Sequence, residues 1–231
     1  MRKFLLPALF TCSAMLAAAD ATPPAGPRFE KDIANYEAKD KEHPPATGTI
    51  EFIGSSTFTR WTSVVEEMAP LPVYNHAFGG SQVADVLRAV PRLVLPNKPK
   101  IVVYYCGDNN MTDPVKADPA IPVQGFVDFV AAVRVELPAT RFIYVSIKPS
   151  PSRWAMWPKA SEANAKVKAI CAADPKLTYV DIAPALLGAD GKPDETLYVK
   201  DHLHTTPVGY AKITAILKPV IAHTWAEVSA P

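Results

Sequence analysis

Thr49-Ile50-Glu51-Phe52-Ile53-Gly54-Ser55-Ser56-Thr57 is the stretch on which the fold turns. Residues 49–53 are β-branched or aromatic apart from Glu51, which suits a buried strand. Gly54 closes that strand, and Phe58 to Met68 reads as a helix directly after it. A strand that passes at once into a helix is the first half of a βαβ unit. Open α/β sheets carry their chemistry at the carboxyl ends of such strands. Two serine hydroxyls, Ser55 and Ser56, therefore stand where a reactive group is expected, and each could also serve as a helix N-cap.

The rest of the chain repeats the alternation. Residues 29–41 have helical composition, with Phe29, Ile33 and Tyr36 on one face, and His43-Pro44-Pro45 ends them. A short second strand, 72–76, leads to Gly79-Gly80, and Val83 to Leu93 reads as a helix limited or kinked by Pro91. Ile101 to Cys106 is a third strand, followed by a helix over 123–136. Arg141 to Ile147 is a fourth strand, and a loop from Lys148 to Pro158 separates it from a helix over 159–172. Leu177 to Asp181 is a fifth strand, and an apolar helix over 207–225 closes the chain. Strand and helix in alternation favour an α/β fold, a parallel sheet with helices on both faces and right-handed crossovers. The 24 prolines cluster at element boundaries and so describe loops rather than disorder.

The N-terminus reads as a secretory signal. Arg2 and Lys3 precede a mostly apolar run from Phe4 to Ala18, with small-residue cleavage frames around Ala19 and Ala21. The run is short for a transmembrane span. Cys12 follows Thr11 after a very short apolar run, a poor setting for lipid attachment. Residues 1–21 are thus expected to be a signal peptide, 22–48 a leader and helix packed on the domain, and 49–231 the domain itself. The expected location is periplasmic or extracellular.

The 24 Lys and Arg residues against 23 Asp and Glu leave a balanced surface, which argues against nucleic acid as a partner. Stable membrane insertion is not expected either. Cys106 and Cys171 would share an oxidising compartment, yet a domain of this size needs no staple, and two separate buried thiols are the expectation. No Cys-x-x-Cys or ligand-spaced histidine group points to a metal, and no cofactor is implied.

Four polar stretches lie just beyond the strands: Gly54-Ser55-Ser56, Gly79-Gly80-Ser81, Gly107-Asp108-Asn109-Asn110 and Asp201-His202-Leu203-His204. A parallel sheet brings strand exits to one edge. A serine hydroxyl is a poor nucleophile unless a base takes its proton, and an imidazole oriented by a carboxylate is the usual base. His204 with Asp201 fits that need. His202 and His76 compete with it, and both read more readily as surface or loop polarity. Asp181, at the end of the fifth strand, competes with Asp201.

In this order the four stretches resemble the SGNH hydrolases, the GDSL esterase and lipase family. The resemblance spans residues 49 to 225 and includes Thr205-Thr206-Pro207-Val208-Gly209-Tyr210 at the entry to the last helix. It implies a three-layer αβα sandwich, flavodoxin-like, with a central five-stranded parallel sheet in the order 2-1-3-4-5. It also implies Ser56 as nucleophile, His204 as base, Asp201 as its orienting acid, and an oxyanion hole from Ser56, Gly80 and Asn109. The departures are Ser55, where the family usually has Asp before the nucleophile, and Asn110, where Asp is common.

The expected activity is that of an exported serine esterase acting on short-acyl esters, with acetylated sugars as one substrate class. A lysophospholipase or thioesterase with longer acyl chains is the alternative, and a non-catalytic carbohydrate-binding protein is another. Arg153, Trp154 and Trp157, in the loop after the fourth strand, are candidate substrate-binding residues. Oligomeric state is left open.

Overall fold

The computed structural model describes residues 28–229, so the expected signal peptide and the Pro-rich residues 22–27 lie outside the described residues. The elements run α1 (Glu30–Glu42), β1 (Ile50–Gly54), α2 (Ser56–Thr59), α3 (Val64–Met68), β2 (Val73–Asn75) and α4 (Val83–Ala89). They continue with β3 (Ile101–Tyr105), α5 (Ala120–Glu136), β4 (Arg141–Val145), α6 (Trp157–Ala172), β5 (Leu177–Val180) and α7 (Pro207–Ser229). The five strands form one sheet in the order β2-β1-β3-β4-β5, and every pairing is parallel. That is the order implied above.

Period-two alternation divides the central strands between two apolar layers. Val102 and Tyr104 face a core built with Ile33 of α1, Val86 of α4, Phe126 and Phe129 of α5, and Val167 of α6. Ile101, Val103 and Tyr105 face the other core, with Phe58 of α2, Met68 of α3, and Ile213 and Leu217 of α7. Helices cover both faces, so β3 is apolar along its whole length.

Three details depart from the sequence reading. The helix expected over 58–68 is two short helices. Between them Trp61 N–H donates to Phe58 O at 3.1 Å and Val64 N–H to Trp61 O at 3.2 Å, tighter i→i+3 turns. The break seats Trp61, fully buried, against Tyr210 of α7 with ring centroids 5.1 Å apart. The helix expected to reach Leu93 ends at Ala89 and passes into a π turn over Val90–Val94. Pro91 has no N–H to continue the α ladder.

His76 is the third departure. It is buried, not surface polarity, with Nδ1 3.2 Å from Glu51 and Nε2 3.1 Å from Asp40 of α1. Glu51 is itself fully buried and also accepts from Tyr74 Oη at 3.2 Å. Burial pushes the His76 imidazole down, but Glu51 and Asp40 outweigh it and hold the ring above its ordinary value. This cluster ties α1 to the sheet. Its charge is legible in the sequence, but its pairing joins residues 36 positions apart. Cys106 and Cys171 are both buried and free. No helix among the described residues is long and apolar enough to cross a membrane.

Candidate active site

β1 ends against β3. Gly54 has φ +144°, and a Cβ there would meet the Tyr105 carbonyl oxygen at 1.8 Å, so only glycine fits. The next N–H, from Ser55, donates to that same carbonyl at 2.9 Å. This contact aims the chain out of the sheet and starts α2 at Ser56. Ser55 sits at the N-cap, but its hydroxyl does not cap the helix. It is fully buried and donates to Asp108 Oδ1 at 3.3 Å. Ser56, in contrast, donates to His204 Nε2 at 2.9 Å.

His204 comes from a tight loop before α7. An antiparallel bridge joins Tyr198 to Thr205, and Val199 N–H donates to His204 O at 2.9 Å. Asp201 Oδ1 accepts from the N–H groups of Leu203 at 3.0 Å and His204 at 2.9 Å. Its Oδ2 lies 2.6 Å from His204 Nδ1. A carboxylate only accepts, so Nδ1 carries the proton and Nε2 is left to accept from Ser56. The result is one continuous chain of bonds from Ser56 through His204 to Asp201.

Burial pushes the Asp201 carboxyl up, but its bonds to His204 and Leu203 dominate and hold it well below the usual carboxylate range. Burial pushes the His204 imidazole down. Asp201 opposes this, while Arg60, 3.5 Å from Asp201 Oδ2, adds to it, and the net shift is downward. An imidazole that is neutral at pH 7 can accept the serine proton. Activity should fall as pH drops through this lowered value, so the acid limb of kcat/KM for a neutral ester should be centred below about 6.5. Arg60→Gln should move the limb upward. A limb above the ordinary histidine value, or one unmoved by the substitution, would contradict this electrostatic picture.

The other candidates fall apart from this chain. His202 is exposed, with φ +52°. Asp181 accepts from Ser146 Oγ and from Ala183 N–H, each at 3.1 Å. Asn110 Oδ1 accepts from Val83 N–H at 3.1 Å and so caps α4.

Gly79 and Gly80 turn beside the serine. The empty Cβ position of Gly79 lies 3.8 Å from Ser56 Cβ, and Gly80 has φ +82°. Asn109 donates from Nδ2 to the Ser81 carbonyl at 3.0 Å, and Ser81 Oγ donates back to Gly54 O at 3.1 Å. The polar ends of β1, β2 and β3 are thus tied to one another.

Two residues of the loop after β4 differ from expectation. Arg153, expected to meet substrate, turns inward: its Nη2 donates to Asn109 Oδ1 at 2.9 Å and its Nη1 lies 3.2 Å from Asp108. A guanidinium with a buried carboxylate in reach gains more by pairing with it than by facing water. Lys148, which the sequence reading passed over, is buried with its Nζ donating to Leu203 O and poised over the Tyr198 ring at 5.4 Å. Burial pushes this ammonium down to about 8. Its place right after a strand, in a polar loop, was the available signal. Trp154 and Trp157 are half-buried and stack on each other, 6.2 Å apart and 11° from parallel.

A model of the GDSL-like Lipase/Acylhydrolase family matches residues 46–212. The chain belongs to that family. A serine-dependent ester hydrolase activity comes with membership. Among curated proteins it is 27% identical over 202 residues to platelet-activating factor acetylhydrolase IB subunit alpha1 of Pongo abelii, covering 83% of this chain and 80% of the relative. A GDSL-like lipase from Bacteroides thetaiotaomicron superposes with TM-score 0.68 at 19% identity, over 83% of this chain and 98% of that one. A carbohydrate esterase family 3 protein from Talaromyces cellulolyticus gives TM-score 0.62 at 14% identity, over 78% and 99%. The family match leaves out α1, which begins at Glu30. In this GDSL-like hydrolase α1 precedes the matched region and is seated on the sheet through His76, whose Nε2 lies 3.1 Å from Asp40.

Proposed function

We propose that the chain is an exported esterase that hydrolyses short-acyl esters, acetyl esters of carbohydrates among them, through an acyl-enzyme on Ser56. The observation that carries this reading is the unbroken series Ser56–His204–Asp201. Ser56 Oγ attacks the ester carbonyl as His204 Nε2 takes its proton. The carbonyl oxygen becomes an oxyanion, met by the backbone N–H groups of Ser56 and Gly80 and by the Asn109 amide. His204 then gives its proton to the departing alcohol, and the Ser56 acyl ester remains. Water attacks that ester, His204 again takes a proton, and the acid leaves as Ser56 recovers its hydroxyl. Asp201 holds the ring and stabilises the imidazolium at each transfer.

Two features support a small acyl group on a polar alcohol. The relative from Pongo abelii is named an acetylhydrolase, and the Talaromyces structure a carbohydrate esterase. Near Thr59 of α2, a recess of about 140 Å³ is lined by Asp32, Asn35, Tyr36 and Lys39 of α1, polar groups suited to hydroxyls. An apolar cavity of about 540 Å³ does exist, but it lies between α5 and α6 beside the start of β5. That is the sheet edge opposite Ser56, where it cannot receive an acyl chain. The stacked pair Trp154 and Trp157 supplies aromatic faces for a sugar ring in the loop after β4. Export rests on the signal-like residues 1–21.

Initial rates on one alcohol with a graded acyl series test this reading. The expectation is a maximum at acetyl to butyryl and hydrolysis of acetylated sugars. A maximum beyond about eight carbons would replace it with the lysophospholipase or thioesterase reading, since each buried methylene adds about 0.8 kcal/mol to binding. Absence of any turnover, with no covalent labelling by a fluorophosphonate, would favour a binding protein.

A further inference from the structure

We propose that Arg153 and the buried Asp108 form a clamp that sets the orientation of the Asn109 amide, and that Asp108 stands in for the acid missing at Ser55. The proposal rests on Asn109 being an oxyanion donor.

The family usually has Asp at the position of Ser55. Here the Ser55 hydroxyl instead donates to Asp108 Oδ1 at 3.3 Å. A carboxylate is still present beside the nucleophile's neighbour, but it is delivered from the end of β3 instead of β1. Asp108 is 6% exposed, and its Oδ2 also receives Tyr105 Oη at 3.4 Å and pairs with Arg153 Nη1 at 3.2 Å. A buried carboxylate needs such partners, and Arg153 is its cationic one.

Arg153 then reaches past Asp108 to Asn109. Its Nη2 donates to Asn109 Oδ1 at 2.9 Å, while Asn109 Nδ2 donates to Ser81 O at 3.0 Å. The amide has only one way to satisfy both neighbours. Guanidinium has no acceptor and a carbonyl has no donor, so the Asn109 oxygen must face Arg153 and its nitrogen must face Ser81. The nitrogen carries two hydrogens and Ser81 uses one. The second is left for an oxyanion. Gln82 holds the backbone of the same residue, donating from Nε2 to Asn109 O at 3.1 Å. Without Arg153 the amide can rotate and offer its oxygen to the developing negative charge, which repels it. Arg153 is a positioning residue: it acts on the reaction through Asn109 and does not touch the substrate.

A double-mutant cycle on an aryl acetate tests this. Asn109→Ala should lower kcat by about 10²–10³-fold, the usual range for one oxyanion donor. Arg153→Met should lower kcat by about 10-fold or more with KM changed less than about twofold, the pattern for an interaction realised only in the transition state. Added to Asn109→Ala, it should cost less than about twofold further, because the group it positions is gone. Should Arg153→Met fail to fold, Asp108→Asn keeps the side-chain shape, removes the charge that holds Arg153, and should give the same kcat loss and the same non-additivity. A raised KM with kcat intact would make Arg153 a substrate contact and overturn the clamp. Losses that multiply in the double variant would overturn it as well. Unchanged kcat in Asn109→Ala would instead overturn the oxyanion assignment beneath it.

Discussion

Ser56→Ala should abolish hydrolysis of an aryl acetate, a loss on the order of 10⁴-fold or more, while Ser55→Ala should stay within about tenfold of the parent. The two hydroxyls are adjacent in sequence and opposite in environment. Ser56 Oγ donates to the one ring nitrogen of His204 that lacks a proton, 2.9 Å away. It also lies at the first turn of α2, whose free N–H groups can meet an oxyanion. Ser55 Oγ is fully buried and committed to Asp108. Its removal forfeits one hydrogen bond, about 1 kcal/mol of stability. It also loosens Asp108, which is why a modest fall in kcat is expected for Ser55→Ala. Equal and complete loss in both variants, with both folded, would undo the division of roles.

Asp201→Asn should lower kcat by about 10⁴-fold, and Asp181→Asn by no more than a few-fold. Asp201 is a double anchor. Oδ1 accepts two backbone N–H groups and Oδ2 faces Nδ1 at 2.6 Å. An asparagine there can keep the backbone bonds through its oxygen, but its amide nitrogen then faces the ring. A donor facing Nδ1 forces the proton to Nε2, and the base is lost without a change of shape. Asp181 has no part in this. Its Ser146 and Ala183 bonds join the ends of β4 and β5, so Asp181→Asn should shift melting temperature more than rate. The opposite ranking of the two rates would move the acid's role to β5.

Most of the sheet was legible because its signals are local. Ile101 to Tyr105 is apolar at every position, which in a chain of alternating elements means a strand covered on both faces. Ser56, Asp201 and His204 were legible as a motif in a known order. The misses are tertiary. Nothing near Trp61 announces that it must reach Tyr210 of α7, yet that contact accompanies the break between α2 and α3. His76 reads as a loop residue until Glu51 and Asp40 are brought to it from β1 and α1. Arg153 sits in a Trp-rich loop that suggests substrate contact, and only the position of Asp108 turns it inward. In each case the deciding partner is distant in sequence, and periodicity carries no information about it.

Mapping the covalent adduct of a fluorophosphonate tests the central claim most directly. After labelling of the folded enzyme and proteolysis, mass spectrometry should place the adduct on Ser56 alone, and His204→Ala should slow labelling on the order of 10²-fold or more. An adduct on Ser55, or labelling indifferent to His204, would contradict the account.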